Sequence, residues 1–371
     1  MDGLTKRDLE AKGEPGAESD PGLGSSAFVA TVFAKAPIGQ RFKDISYFRE
    51  ALGLTSNPKN LTHRLLSLDK EDENEEDGRS LSRQVLKVYF SIEAPSPSLT
   101  ELRRHPKLRQ SERDLDCQIS IQRADSWRKE RKLAVFDMDS TLIQQEVIDE
   151  LARVIGVEKE VSAITERAMN GELDFTASLK ARVALLKGVP GGDVWDRLKS
   201  DVITFTPGAR DLCAILKHMG YKMAVLSGGF LPLAEWVKDQ LELDYAYANQ
   251  LVMDPETSLL TGETTGPIVD ATRKAELLVE IAQKEGIPLR LTMAIGDGAN
   301  DLLMMRKAGL GVAFNAKAKV KEEAPTKLTT TTLVDVLYIL GYTEKEQIEL
   351  LNLSKKARDF KANTQHETGL A

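Results

Sequence analysis

The sequence predicts an α/β protein: a parallel sheet with helices on both faces, a helical insertion after its first strand, and a small α+β unit ahead of it. Three observations carry this. Short apolar runs at 133–136, 222–226, 291–295 and 310–314 are followed by Asp, Ser, Gly and Asn, and helical stretches at 207–219, 231–241 and 272–285 lie between them. Residues 146–200, just after the first run, read as helix almost throughout. Residues 27–123 follow a different grammar, with strand-length segments that alternate apolar and polar positions.

Residues 1–25 are acidic, Gly-rich and aperiodic, and disorder is expected there. The first unit, 26–125, reads as a strand at 27–34, an amphipathic helix at 42–52 and a strand at 61–68. An acidic loop from Asp69 to Asp77 follows, then a strand at 85–92, a helix at 98–108 and a strand at 117–122. That order, β-α-β-β-α-β, is the split-βαβ or ferredoxin-like arrangement. The larger unit spans 130–352. Within it, 146–200 is expected as a cap over the carboxyl edge of the sheet, and 245–268, around Pro255 and Gly262, as a hairpin excursion. Residues 333–352 read as one or two closing helices, and the polar stretch 353–371 as a disordered tail.

A chain of 371 residues that is 42% hydrophobic and 29% charged has the composition of a soluble globular protein of two or three domains. A net charge of −7 argues against a nucleic-acid partner, which would call for a basic patch. Cys117 and Cys213 lie far apart and form neither a disulfide framework nor a zinc spacing. No apolar run has the length of a membrane span, and residues 1–26 lack the form of a secretory signal or transit peptide, so a cytoplasmic location is expected. The histidines (63, 105, 218, 366) show no ligand spacing, and Trp127, Trp195 and Trp236 show no nucleic-acid stacking pattern.

The chemistry concentrates at the ends of the apolar runs. Asp137 and Asp139 follow Leu133-Ala134-Val135-Phe136, so both carboxylates fall at the carboxyl edge of a sheet, where open α/β sheets bind ligands. Carboxylates held this close repel one another, so one takes a proton or a cation sits between them. A further acidic cluster, Gly296-Asp297-Gly298-Ala299-Asn300-Asp301, ends the run 291–295 and can complete a cation site, with Asp297 expected to start a helix. Ser227-Gly228-Gly229 follows 222–226 and precedes a helix, so backbone N–H groups and the Ser227 hydroxyl are placed to receive an anion.

Asp137-Met138-Asp139-Ser140-Thr141 resembles the Asp-x-Asp-x-Thr signature of the haloacid dehalogenase-like phosphatases. Ser227-Gly228-Gly229, Lys274 in Arg273-Lys274-Ala275, and Gly296 to Asp301 match the other motifs of that family in order. The cap residues Glu146, Ala168-Met169-Asn170-Gly171, Phe175, Ser178-Leu179 and Arg182 resemble those of members that act on phosphoserine. The resemblance covers roughly 130–325 and implies a Rossmann-like sheet. It further implies Asp137 as nucleophile, Asp139 as general acid and base, and Lys274 as the cation that neutralises nucleophile and phosphoryl group. Mg²⁺ would be held by Asp137, the Asp139 backbone carbonyl and Asp297, with Asp301 orienting ligands or Lys274 from behind them. Ser227, Gly228, Lys274 and Asn300 would hold substrate. Glu146 would take its amine and Arg182 its carboxylate, and Met169 and Phe175 would exclude water.

The implied reaction is hydrolysis of O-phosphoserine to serine and phosphate, the last step of serine synthesis. Phosphotransfer to another hydroxyl, a related phosphorylated metabolite as substrate, and a non-catalytic phosphate sensor remain open alternatives. The βαββαβ unit resembles amino-acid-binding ACT-type domains, which implies serine as a ligand there or, alternatively, a platform for a homodimer.

Overall fold

The computed structural model describes residues 27–34, 59–67, 84–92, 98–124 and 129–368. The expected tail 1–25, helix 42–52 and loop Asp69 to Asp77 lie outside them. In the first unit, β1 (Ala27–Ala34), β2 (Lys59–Leu65), β3 (Gln84–Ser91) and β4 (Cys117–Arg123) form an antiparallel sheet in the order β2-β3-β1-β4. Phe28, Ala30 and Val32 of β1, with Val88, Phe90, Ile119 and Ile121, pack in one buried cluster with Leu102 and Leu108.

The single helix expected at 98–108 is two: α1 (Leu99–Arg104) and α2 (Pro106–Asp114). Pro106 has no N–H to continue a helix and disfavours helical backbone at the residue before it, and His105 is extended at φ −62°, ψ 128°. Ser98 starts α1 with a capping box closed by Glu101.

The larger sheet contains β5 (Leu133–Phe136), β6 (Lys222–Phe230), β7 (Tyr245–Met253), β8 (Leu260–Thr265), β9 (Thr292–Gly296), β10 (Leu310–Phe314) and β11 (Thr326–Leu328). Its order is β11-β10-β9-β5-β6-β7-β8, parallel throughout except for the β7–β8 pair. The excursion at 245–268 is therefore part of the sheet, because β7 pairs in parallel with β6 before turning back into β8. β11 was not expected; three residues are too few to show a period.

Between β5 and β6 lie the cap helices α3 (Val147–Ile155), α4 (Glu158–Met169), α5 (Phe175–Ala184) and α6 (Gly191–Arg197), then α7 (Ala209–His218). The remaining helices are α8 (Leu231–Leu241), α9 (Ala271–Lys284), α10 (Leu302–Lys307), α11 (Ala318–Glu323), α12 (Val336–Leu340) and α13 (Glu344–Thr368). Side chains of β5 alternate between two cores. Ala134 and Phe136 join α7, α8 and α12 on one face, and Leu133 and Val135 join α9, α10 and α11 on the other. Two buried faces explain why these strands read as unbroken apolar runs.

α13 runs to Thr368, which corrects the disordered tail expected from 353. Gln347, Leu351 and Ser354 bury one stripe of its first turns, and the helix packs on α7. Beyond them Lys355, Lys356, Ala357 and Arg358 are good helix formers that need no apolar period to continue. Among the described residues no helix is long and apolar enough to cross a membrane.

The two units are joined through the face of the small sheet away from α1 and α2, and through side chains of α2 itself. Phe33 meets Tyr338 of α12 edge-on at 6.2 Å. Gln118 Nε2 donates to the Lys327 carbonyl at 2.8 Å, Lys327 Nζ pairs with Glu112 at 2.6 Å, and the Glu344 N–H donates to the Leu66 carbonyl at 2.8 Å. Phe33 is buried in the same core as α12, so Phe33→Ala should cost about 3–5 kcal/mol. Urea unfolding of the full chain measures this, and an unshifted midpoint would show that the contact contributes nothing.

Candidate active site

Three neighbouring strands, β9, β5 and β6, end where the sheet order reverses: the chain runs outward from β5 through β6, β7 and β8, then returns to β9 on the other side. The crevice at such a reversal is where α/β sheets bind ligands. Asp137 follows β5, Ser227 and Gly228 end β6, and Asp297 follows β9. Asp297 does not start a helix as expected; it lies in the turn before the short 3₁₀ segment Ala299–Asp301, and α10 begins only at Leu302.

A cavity of about 130 Å³ opens at this edge, under the cap. Asp137, Asp139, Glu146, Phe175, Arg182, Gly228, Asp297 and Asn300 all line it. Ser227, Lys274 and Asp301 lie buried beside it, fully inaccessible. Of the expected site residues only Met169 is not placed, because its side chain lies outside the described set. The cavity also contains Leu179, Gly229 and Gly298, which the motifs included without a role, and Ile148 and Phe230, which likewise had no expected role. Thr141 was visible in the signature but had no role: its hydroxyl donates to Asp297 Oδ1 at 3.3 Å, tying the loops after β5 and β9 together.

Lys274, on α9, is the electrostatic centre. Its ammonium donates to Asp137 Oδ1 at 2.7 Å and to Asp301 Oδ1 at 2.8 Å. Burial works against its charge, yet the two carboxylates more than offset this and hold its pKa above the ordinary lysine value. Asp137 Oδ1 also accepts from the Met138 N–H at 2.7 Å. Asp301 Oδ2 accepts from the Gly298 N–H at 3.0 Å, so both its oxygens are engaged by protein. Gly296 is required here, since a Cβ would lie 2.3 Å from Asp301 Oδ2.

The carboxylates outnumber the cations that face them. Burial, then Asp301, pushes Asp137 well above the ordinary carboxylate range; burial, then Glu146, raises Asp139 to about 8. Burial, then Asp301 and Glu146, raises Asp297 to about 7. Asp139 Oδ2 accepts from the Val147 N–H at 3.2 Å, while Oδ1 is buried without a hydrogen-bond partner. Asp137, Asp297 and Asp301 bring carboxylate oxygens within 4.8 Å of one another. Excess buried negative charge with an orphaned oxygen beside it is a donor set that fits a hard divalent cation.

The cap closes the other side. Ser140, at φ 55°, turns its hydroxyl to donate to Glu146 Oε1 at 2.7 Å. Arg182 Nε donates to the Ser178 carbonyl at 3.3 Å; burial lowers the guanidinium pKa, against the opposing pull of Asp149, Glu146 and Asp139. Phe175 lies over the loop so closely that a Cβ on Gly228 would approach its Cζ to 3.1 Å. Replacing Lys274 by Met should leave Asp137 and Asp301 as an uncompensated buried pair and cost about 3–5 kcal/mol near neutral pH. Thermal unfolding measures it; an unchanged melting temperature would mean the ion pair is not formed.

Residues 131–309 match the model of the haloacid dehalogenase-like hydrolases. The probable phosphoserine phosphatase of Schizosaccharomyces pombe is 44% identical over 81% of this chain and 97% of its own length. The phosphoserine phosphatase of Saccharomyces cerevisiae is 48% identical over 64% of this chain and 75% of its own. Among solved structures, a probable phosphoserine phosphatase from Vibrio cholerae, in unliganded form, superposes with a TM-score of 0.60 at 32% identity, covering 90% of this chain and 89% of that one. A phospho-aspartyl intermediate analogue of a phosphoserine phosphatase matches with a TM-score of 0.52 at 45% identity, covering 56% of this chain and 98% of that one. The likeness extends over nearly the whole length of the Schizosaccharomyces relative, and the motif residues meet in one cavity as the signature requires: this chain belongs to the haloacid dehalogenase-like hydrolase family, alongside the phosphoserine phosphatases it matches.

Proposed function

We propose that this chain hydrolyses O-phosphoserine to serine and phosphate, with Mg²⁺ as cofactor and an aspartyl-phosphate on Asp137 as intermediate. The observation that carries the reading is the arrangement across one small cavity. A nucleophile paired with a buried ammonium lies on its floor, and Glu146 and Arg182 line it from the cap. A free amino acid esterified with phosphate presents an ammonium and a carboxylate beyond its phosphoryl group, and these are the charges that Glu146 and Arg182 complement.

Lys274 and Met138 N–H both engage Asp137 Oδ1, so Oδ2 is the oxygen left outside these bonds to attack phosphorus. As the Asp137–phosphorus bond forms, the bond to the serine oxygen breaks, and Asp139 gives that oxygen its proton. Burial and the neighbouring Glu146 raise the Asp139 pKa, which favours the protonated form this step needs. Asp139, now ionised, takes a proton from water as the water oxygen attacks phosphorus and returns Asp137 as a carboxylate. Mg²⁺, held by Asp137, the Asp139 carbonyl and Asp297, would neutralise phosphoryl charge. Lys274 contributes to the same neutralisation from below, and Phe175 and Leu179 exclude bulk water from the cap side.

The N-terminal sheet is read as ACT-like on the strength of its strand order. Serine binding there, pairing of two chains and a cytoplasmic location complete the reading. Titration of the full chain with serine and sedimentation equilibrium test the first two.

Phosphate release from phosphoserine by the purified full chain with Mg²⁺ is the decisive assay. Activity should exceed that on phosphothreonine and on phosphomonoesters lacking an amino-acid moiety, and Asp137→Asn should lower it by at least about a thousandfold. Full activity in that variant would end the reading. Mg²⁺ affinity should fall as pH is lowered from 8 to 6. Asp137 and Asp297 have raised pKa values, so they hold protons at lower pH that the ion must displace. Calorimetry in two buffers of different ionisation enthalpy should show proton release on binding; equal affinity at both pH values with no release would contradict the ligand set.

A further inference from the structure

We infer that Asn249 is a positioning residue: it fixes the peptide plane between Gly228 and Gly229 and so makes the Ser227 hydroxyl a donor toward the phosphoryl group. The starting point is a defect in the sheet. β6 and β7 pair Leu226 with Tyr247 and next Phe230 with Asn249, so residues 227–229 of β6 stand opposite Ala248 alone. The phosphate loop is thus bulged out of the ladder, and its backbone groups need other partners.

Asn249 supplies one of them. Its side chain is fully buried, and Nδ2 donates to the Gly228 carbonyl at 2.8 Å. Oδ1 accepts from the Val269 N–H at 2.8 Å, in the segment leading to α9 and Lys274. The amide orientation follows from its partners, since a backbone carbonyl only accepts and a backbone N–H only donates.

The Gly228 carbonyl and the Gly229 N–H belong to the same rigid peptide plane. With the carbonyl end held by Asn249, the N–H end donates to Ser227 Oγ at 2.9 Å. That hydroxyl has accepted a hydrogen bond, and its own hydrogen remains to be donated. A Cβ built on Gly229 would lie 3.0 Å from Ser227 Oγ and 3.4 Å from Asp139 Oδ2, so the two groups share one small space beside the nucleophile. Without Asn249 the plane can rotate, and Ser227 can spend its hydrogen on a backbone carbonyl instead.

This rests on reading the cavity as a phosphoryl site, and the test separates the two ideas. Inorganic phosphate is titrated into the full chain with Mg²⁺ for wild type, N249D, S227A and the double variant S227A/N249D, with phosphoserine turnover followed in parallel. N249D keeps the acceptor for Val269 and loses the donor to Gly228; N249S, too short to span both groups, stands in if N249D does not fold. Each single variant should bind phosphate about tenfold more weakly, and the double variant no more weakly than S227A alone, because the two residues act through one hydroxyl. Wild-type phosphate affinity in N249D, or losses that multiply in the double variant, would overturn the proposal. The expected pattern of phosphate binding together with no hydrolysis of phosphoserine would uphold Asn249's role and refute the substrate.

Discussion

The site depends on the contact between one buried ammonium and two buried carboxylates, Lys274 with Asp137 and Asp301. Desolvating any of the three alone would cost several kcal/mol, so each is tolerable only because the others are present. They come from three separate parts of the chain, after β5, on α9 and after β9, and the fold has to close before the charges can meet. Negative charge still exceeds positive there. That imbalance, with burial, raises the Asp137, Asp139 and Asp297 carboxyls and suits the floor of the cavity to a divalent cation.

Around that centre the loops are braced by short hydrogen bonds between strand ends. Thr141 reaches from the loop after β5 to Asp297 after β9, and Gly298 N–H folds back on Asp301. The cap is fixed to the same loop: Val147 N–H donates to Asp139 and Ser140 to Glu146. The loop that carries Asp137 and Asp139 is therefore tied directly to the base of the cap that carries Glu146. Preorganisation of this kind keeps reacting groups in place without reorganisation during the reaction.

The small antiparallel sheet is part of the same packed structure. One face buries against α1 and α2, and the other sets Phe33 on Tyr338 and Gln118 on the Lys327 carbonyl of β11, while Glu112 of α2 pairs with the Lys327 ammonium. β11 is the edge of the larger sheet, so these contacts also cover an edge that would otherwise be free to pair with another chain.

Much of this was legible in the residues alone. The central strands show themselves as short apolar runs because both faces are buried. The carboxylates and Ser227-Gly228 show themselves at strand ends, Lys274 and the cap residues only through the family resemblance, and eight of the expected residues line one cavity. What the sequence determined by itself was thus the list of chemical groups and the layer each element belongs to, since periodicity and strand-end chemistry are local. The break at His105 is local as well, since Pro106 next to it dictates it. Tertiary structure alone decided the rest: β11, too short for a period; the helix through 353–368, held by a narrow stripe on α7; and Thr141 and Asn249 as braces. A brace is defined by which backbone groups another loop leaves unpaired, and that information is not stored near the residue itself.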